Sequence, residues 1–410
     1  MWHNRWTMNT LHKTLEAPGL WLEGAAIAQL QVASRLPGMA FAFGLPDLHP
    51  GRGMPVGAAF LGEQLYPHLV GSDIGCGVAV WKANAKGKRP ATEKWAKKLK
   101  LDAPLGIEDA MEALAKRGLD GSDWSWHFRG FGTIGRGNHF AELGVCEKPQ
   151  EGSPLQEGDL VLLVHSGSRS FGESVGSAHW EARGARSLEP ETEAGQAWLR
   201  AQPVALAFAE ENRAAIARRF LDQIGLEGEF VLDVCHNYAE EILVSTEDLS
   251  PLRAFAEQAP GGFDASALPG LLASEAGGSA WMTRKGAASS QRGLVAIAGS
   301  RGTPSFIFEP SARAPLLASG WSLAHGAGRK WARADCKDRL SHRFNPEQLR
   351  RPAPGSFVVC DDKDLLFEEA PQAYKDIEPV IAALEAAGAG RAVCQTRPIL
   401  SYKTREDACC

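Results

Sequence analysis

Nowhere in the 410-residue sequence do about 18 apolar residues run together, so no stretch reads as a membrane-spanning helix. Paired Cys-x-x-Cys motifs are also missing. The eight cysteines scatter over positions 76, 146, 235, 336, 360, 394, 409 and 410, which excludes a dense disulfide framework and the common structural-zinc spacings. Positive charge is not in excess. A net charge of -5 excludes a protein that grips nucleic acid through overall basicity, although it leaves room for a local basic groove. No apolar signal core follows Met1-Trp2-His3-Asn4-Arg5-Trp6, so a cytoplasmic location is expected. Internal repeats, heptads and a boundary between independent domains are absent as well, and the chain is expected to form one domain over residues 1–410.

What is present is a soluble, globular composition, 44% hydrophobic and 23% charged, with ample length for a large core. Two segments could line a basic groove. Lys82 to Lys100 carries eight basic residues against the single acid Glu93, and Arg329 to Arg351 carries eight against three. A solvated helix face explains either run equally well.

Short apolar runs predict strands near Ala58–Leu61, Val78–Trp81, Leu160–Val164, Phe230–Cys235, Leu294–Ala298 and Phe306–Phe308, and Trp321–Ala324 runs into His325 ahead of a basic helix. Helices are expected over Glu23–Val32, within 91–117, and from about Glu191 to Gln223, the last interrupted near Pro203, a plausible first-turn proline of a second helix. Pro46 to Gly57 holds too many Pro and Gly residues for either regular element and reads as an ordered loop. Residues 249–279, rich in Pro, Gly, Ala and Ser, read as a flexible insert.

The stretch Gly71-Ser72-Asp73-Ile74-Gly75-Cys76-Gly77 places a carboxylate and a thiol three residues apart in a turn whose glycines let the backbone approach a ligand. A metal ion is the ligand that suits both groups. Of the eleven histidines, His139, His165, His236 and His325 stand in turns rich in Gly, Ser or Asn, and the last three directly follow apolar runs. Strand ends of that kind present site residues in α/β architectures. Asp73 and Cys76 with three such imidazoles could hold two ions, because a thiolate can bridge. Zinc suits this donor set and Mn²⁺ fits it too. Two adjacent divalent ions favour phosphoryl chemistry. His325 stands apart, since Gly326-Ala327-Gly328-Arg329 sets backbone N–H groups and a guanidinium beside its imidazole. That arrangement suits polyphosphate and a nucleophile toward a nucleotide α-phosphate.

Taken in order, Pro46-Asp47-Leu48-His49, Asp73-Ile74-Gly75-Cys76-Gly77, Gly135-Arg136-Gly137-Asn138-His139-Phe140-Ala141-Glu142, His165-Ser166-Gly167-Ser168-Arg169, His236-Asn237-Tyr238, Thr283-Arg284-Lys285-Gly286-Ala287, Gly299-Ser300-Arg301-Gly302, His325-Gly326-Ala327-Gly328-Arg329 and Ala373-Tyr374-Lys375-Asp376-Ile377 resemble the RtcB family of RNA-splicing ligases. The match runs from about residue 46 to 403.

The resemblance implies an α+β fold of mixed β-sheets flanked by helices around a deep central pocket. It implies a GTP- and Mn²⁺-dependent ligase that joins RNA 2′,3′-cyclic phosphate or 3′-phosphate ends to 5′-hydroxyl ends, with room for an accessory protein that assists turnover. By the same token Asp73, Cys76, His139, His165 and His236 would hold two metal ions, and His325 would carry GMP covalently. Asn138, Phe140, Glu142, Ser300, Ser305, Gly326, Ala327, Gly328, Tyr374 and Lys403 would surround the nucleotide. Arg169, Lys285 and Arg329 would meet phosphates, and Asp47 would orient His325. Arg301 stands where the family pattern has Met, Ala324 where it commonly has Ser, and Thr404 to Cys410 extends past Lys403. The alternative reading keeps the metals without ligation, as a phosphodiesterase that opens cyclic phosphates. A non-catalytic RNA-binding protein on the same fold is a third.

Overall fold

The computed structural model describes residues 11–85, 90–258 and 269–405. Strands run at His12–Thr14 (β1), Met39–His49 (β2), Val56–Gly62 (β3), Gly77–Asn84 (β4), Phe140–Glu147 (β5), Leu160–Ser166 (β6), Glu227–Cys235 (β7), Asn237–Val244 (β8), Gly278–Lys285 (β9), Ala287–Ser289 (β10), Val295–Ile297 (β11), Ser305–Pro310 (β12), Ser322–Ala324 (β13), Phe357–Cys360 (β14) and Gly390–Thr404 (β15). They form an eight-stranded sheet in the order β11-β12-β15-β5-β6-β4-β7, with β14 on β15, and a five-stranded sheet in the order β1-β2-β3-β9-β8. A two-stranded ribbon, β10-β13, stands beside them. One buried cluster joins the layers by packing Leu45 of β2 and Leu323 of β13 with Val78, Leu163 and Phe308 of the larger sheet. The result is a mixed α+β fold with helices flanking the sheets.

Antiparallel pairing decides where the site forms. Because β6 pairs antiparallel with both β4 and β5, those two strands begin at the end where β6 finishes, and β7, antiparallel to β4, finishes there too. Cys76 directly precedes β4, His139 precedes β5, His165 lies in the last turn of β6 and His236 follows β7. Residues that are scattered over 160 positions therefore share one sheet end by register alone. The C-terminal end of β15, with Ser401 paired to Glu142, points the same way.

The helix Glu193–Ile224 is continuous through Pro203, so the expected break does not occur. Pro203 cannot donate an amide bond, but a long buried face that includes Trp198, Phe208 and Phe220 compensates. Each such side chain contributes about 1.5–3 kcal/mol on burial. Thr192 caps the start by accepting from the Gly195 amide at 3.1 Å, and Gly225 ends the helix in the left-handed conformation.

Two further expectations change. Pro46 to His49 belongs to β2 and not to a loop; the register of β2 against β3 shifts between Gly44 and His49, an irregularity that tolerates a proline lacking its ladder donor. Within the stretch 249–279, residues up to Glu257 continue the helix Thr246–Glu257, whose Leu249, Leu252 and Ala256 are buried with Leu271 and Leu272. The apolar spacing of that helix, masked by a proline at 251, outweighs its composition. Residues 259–268 lie outside the described residues.

The long helix also braces the sheet end. Arg213, fully buried, donates to both carboxylate oxygens of Asp233 and to the carbonyls of Gly75 and Ser166 at 2.8 Å each. Burial alone would lower its pKa, but the adjacent Asp233 holds the guanidinium charged. Asn212 accepts from the Gly132 amide and donates to Ser166 Oγ and the Gly167 carbonyl. Gly75 is required there: its φ is +76°, and a Cβ would lie 2.9 Å from the Ala209 side chain. Arg213→Ala is expected to cost about 3–5 kcal/mol, because it strands Asp233 and two carbonyls. Chemical denaturation checks this, and Asp233→Leu in the same background should recover part of the loss.

Candidate active site

A cavity of about 1670 Å³ opens between the two sheets. At its floor Cys76 belongs to two ligand groups at once, one with His165 and His236 and one with Asp73 and His139. The Cys76 Sγ lies 3.2 Å from Nε2 of His139 and 3.2 Å from Nε2 of His165, and His139 Nε2 is 2.9 Å from Asp73 Oδ2. Asn237 holds this turn in place. Its side chain donates to the Asp73 carbonyl at 2.9 Å and accepts from the Gly286 amide at 2.7 Å.

The donor chemistry fits metal ions. Burial, then the neighbouring His139 and His325, push His165 well below its ordinary pKa, and burial with His325 and His165 does the same for His236, so both are neutral imidazoles with a free lone pair. Burial and the Asp73 charge push the Cys76 thiol well above its usual value. Without a cation the sulfur keeps its proton. Burial would raise Asp73 too, but His139 and Arg169 outweigh it and hold the carboxyl below its usual range.

The imidazoles of His139, His165, His236 and His325 follow one another with ring centroids 5.1, 5.2 and 4.8 Å apart. His325 stands at the end of the series, after β13. Its Nδ1 donates to Asp47 Oδ2 at 2.6 Å, and its amide donates to the same oxygen at 3.2 Å. With Nδ1 protonated, the Nε2 lone pair is left for chemistry. Gly328, at φ +73°, packs so closely on β2 that a Cβ would lie 2.3 Å from the Asp47 carbonyl oxygen. Lys375 donates to the carbonyls of Pro46 and Leu48 and fixes the same strand end.

Elsewhere on the cavity wall Glu142 accepts from Ser401 Oγ at 2.5 Å. Burial raises its pKa to about 7 against the pull of Ser401, Lys403 and Arg301. Lys403 donates to the Gly137 carbonyl at 2.8 Å, and burial lowers it to about 8.

Most residues singled out in the sequence meet at this cavity: the five metal-type ligands, Asn138, Phe140, Glu142, Lys285, Ser300, the turn from His325 to Arg329, Tyr374 and Lys403. Asp47, Arg169 and Ser305 stand behind the wall instead. Asp47 lies fully buried beneath His325. Ser305 accepts from the Gly299 amide at 3.0 Å and holds that turn. Arg169 packs against Gly135, where a Cβ would lie 1.8 Å from its Nη1, and its charge acts on Asp73. Arg329 reaches the wall, but its guanidinium already donates to Glu369, Tyr374 and the carbonyls of Trp331 and Glu368.

Glu369 was not foreseen. It is buried, accepts from Tyr374 OH at 2.5 Å, and lies 3.1 Å from Arg329, 3.6 Å from Lys403 and 3.7 Å from Arg333. Burial alone would raise its pKa, but those three cations hold it at about 2. No motif surrounds it in sequence; only the cationic partners Arg329, Arg333 and Lys403, 34 to 40 positions away, mark it. His49 was named in a motif without a role. It lines the cavity with its Nδ1 2.8 Å from the Asp47 carbonyl, and burial lowers it to about 4.

The fold and this cavity define an enzyme of phosphoryl chemistry with a metal-type cluster and a histidine paired with a buried carboxylate. The chain belongs to the RtcB family: the family described as tRNA-splicing ligase RtcB matches residues 29–125, 127–249 and 271–404. It is 37% identical over 396 residues to the RNA-splicing ligase RtcB2 of Escherichia coli, covering 95% of each chain. It is 28% identical to the tRNA-splicing ligase RtcB of Aeropyrum pernix, over 92% of this chain and 90% of that one, and 26% identical to that of Thermococcus kodakarensis, over 96% of each. No helix among the described residues is long and apolar enough to cross a membrane.

Divalent metal uptake is expected to release the Cys76 proton. Titration of Mn²⁺ or Co²⁺ into weakly buffered protein should show proton release that Cys76→Ala abolishes, with a loss of metal affinity of at least about 100-fold.

Proposed function

We propose that this protein is an RNA ligase that joins a 3′-phosphate or 2′,3′-cyclic phosphate end to a 5′-hydroxyl end, using GTP and Mn²⁺. The observation that carries the reading is the placement of the Asp47–His325 pair at the end of the imidazole series that starts in the Cys76 cluster. A hydrolase has no use for such a pair in one cavity with a buried Glu142. Asp73, Cys76, His139, His165 and His236 would hold two ions, with Cys76 shared. Bound there, the ions would supply positive charge against the attacking and leaving phosphate oxygens.

In this reading His325 Nε2 attacks the GTP α-phosphorus, a P–N bond forms, the bond to the bridging oxygen breaks and pyrophosphate leaves. Asp47, bonded to Nδ1, keeps the attacking nitrogen unprotonated and stabilises the charge that develops on the ring. An oxygen of the RNA 3′-phosphate then displaces His325 and gives a pyrophosphate-linked end. The 5′-hydroxyl attacks the RNA phosphorus, loses its proton and expels GMP. A cyclic phosphate is first opened by water.

Glu142 would accept from guanine N1–H and N2–H₂, which adenine cannot match. Asn138, Phe140, Ser300, Tyr374, Lys403 and the Gly326–Ala327–Gly328 turn would enclose the rest of the nucleotide. Ser305 and Arg329 would act on it through the wall that they brace. Lys285, half-buried in the cavity wall and lowered to about 8 by desolvation, would meet a phosphate. Arg169 would act as a positioning residue behind Asp73. The RNA would enter past Arg52, Arg136, Lys330, Arg333 and Arg339 at the cavity rim, where positive charge is concentrated despite the net charge of the whole chain.

With α-labelled GTP and Mn²⁺ the protein should acquire a covalent GMP label that His325→Ala eliminates and Asp47→Asn lowers by about 10–100-fold. On RNA with the matching ends, joined strands support ligation. Opened ends without joining would replace it with the phosphodiesterase reading.

The Glu142 carboxyl must lose its proton to accept both guanine N–H groups. Since it titrates at about 7 in the ligand-free pocket, guanosine affinity should be level above about pH 8 and fall about tenfold per pH unit below about 6. Calorimetry over pH 5–9 checks this, and Glu142→Gln should flatten the profile.

A further inference from the structure

Arg301 lies in the turn between β11 and β12, and its side chain is held in an unusual way. The residue is only 5% exposed yet lines the cavity. One nitrogen, Nη2, donates to the Leu366 carbonyl at 2.6 Å, which fixes the guanidinium in place. The other two, Nε and Nη1, are buried and have no acceptor. Buried guanidinium donors without partners are strongly disfavoured, so a planar cation anchored on one side and unsatisfied on the others marks a place where a ligand brings acceptors.

The groups around it narrow the ligand. The Arg301 charge acts on Glu142 and Lys403, and it is felt together with Glu369 and Tyr374. These residues all line the same cavity. There Glu142 offers a carboxylate and Arg301 offers N–H donors. A purine whose edge carries N–H donors at N1 and N2 followed by acceptors at O6 and N7 meets the two in sequence. Guanine has that edge. Adenine has a donor amino group at position 6, which would face a cation with nothing to accept it.

Building on the ligase reading above, we propose that Arg301 is a specificity-determining residue that reads the O6/N7 acceptor face of guanine. Glu142 reads the donor face, and the pair would give this chain a recognition of guanine from both sides. The contact would be to the base and not to a phosphate.

Nucleosides separate these possibilities because they carry no phosphate and cannot react. Calorimetry on the full-length, Mn²⁺-loaded protein would compare guanosine, 7-deazaguanosine, which lacks the N7 acceptor, and adenosine. The same titrations would be run on Arg301→Met, an unbranched apolar replacement of similar reach, and on Arg301→Lys. The unaltered protein should prefer guanosine over 7-deazaguanosine by about tenfold or more. In Arg301→Met guanosine should weaken by about 10–100-fold and 7-deazaguanosine, which keeps only the O6 acceptor, by a smaller factor, so that the preference disappears. Arg301→Lys should keep part of it.

An unchanged guanosine to 7-deazaguanosine ratio in Arg301→Met would overturn the assignment. So would a loss of GTP affinity with guanosine binding unaltered, which would place the guanidinium on a phosphate. A purely structural role predicts equal weakening of all three nucleosides, and that result also overturns it. Covalent GMP labelling of the unaltered protein keeps the two readings apart. Labelling with an unchanged ratio removes only the Arg301 assignment, whereas absence of labelling removes the ligase reading and this inference with it.

Discussion

A single buried sulfur sets the terms for the rest of the molecule. Cys76 is in reach of two ligand groups, yet burial and Asp73 forbid its ionisation unless a cation comes to it. Its position can serve both groups only if four antiparallel strands end together, and the register of β5, β6, β4 and β7 does that. Arg213 and Asn212 then tie the turns to the long helix, so that imidazoles from distant parts of the chain keep their spacing without help from flexible loops. The helix stays continuous through a proline because its buried face holds this brace.

Two kinds of charge setting share the cavity wall. One is the neutral His165 and His236 with the protonated Cys76 thiol, a set that can take up positive ions. The other is Lys403, Arg329 and Arg333 gathered on Glu369, whose buried carboxylate is kept ionised by them. Paired charges of this kind in a low-dielectric site give rigid placement more than net stability. The Glu369 cluster fixes Tyr374 and Arg329, and through them the wall beside the His325 turn. The rim beyond is basic although the chain is acidic overall, which shows that net charge and local field are separate properties.

Much of the site was legible in the sequence because its residues sit in turns that nothing else explains. Asp73, Cys76, His139, His165, His236 and His325 announced themselves through glycine-rich surroundings at strand ends. Other features depend on tertiary contacts that leave no local trace. Glu369 looks like any acid on a short helix until Arg329, Lys403 and Tyr374 surround it. Pro46 and Pro203 read as breakers, since the packing that overrides them comes from residues far along the chain. The apolar face of Thr246–Glu257 was hidden by the composition around it. Arg301 was visible as a departure from a pattern, but its unmatched donors belong to the three-dimensional arrangement alone. Arg169 was expected to meet phosphates, and only the fold shows its charge acting on Asp73.

The cavity is a seam between sheets, with the Asp47–His325 side contributed by β2 and the β10–β13 ribbon and the Cys76 cluster by the eight-stranded sheet. Neither half encloses a pocket alone, because each supplies one wall. The two walls are therefore not modules that recombination could separate or trade with other proteins. Such an enzyme can diversify only by substitution along the seam, where changing one side chain alters what the shared space accepts.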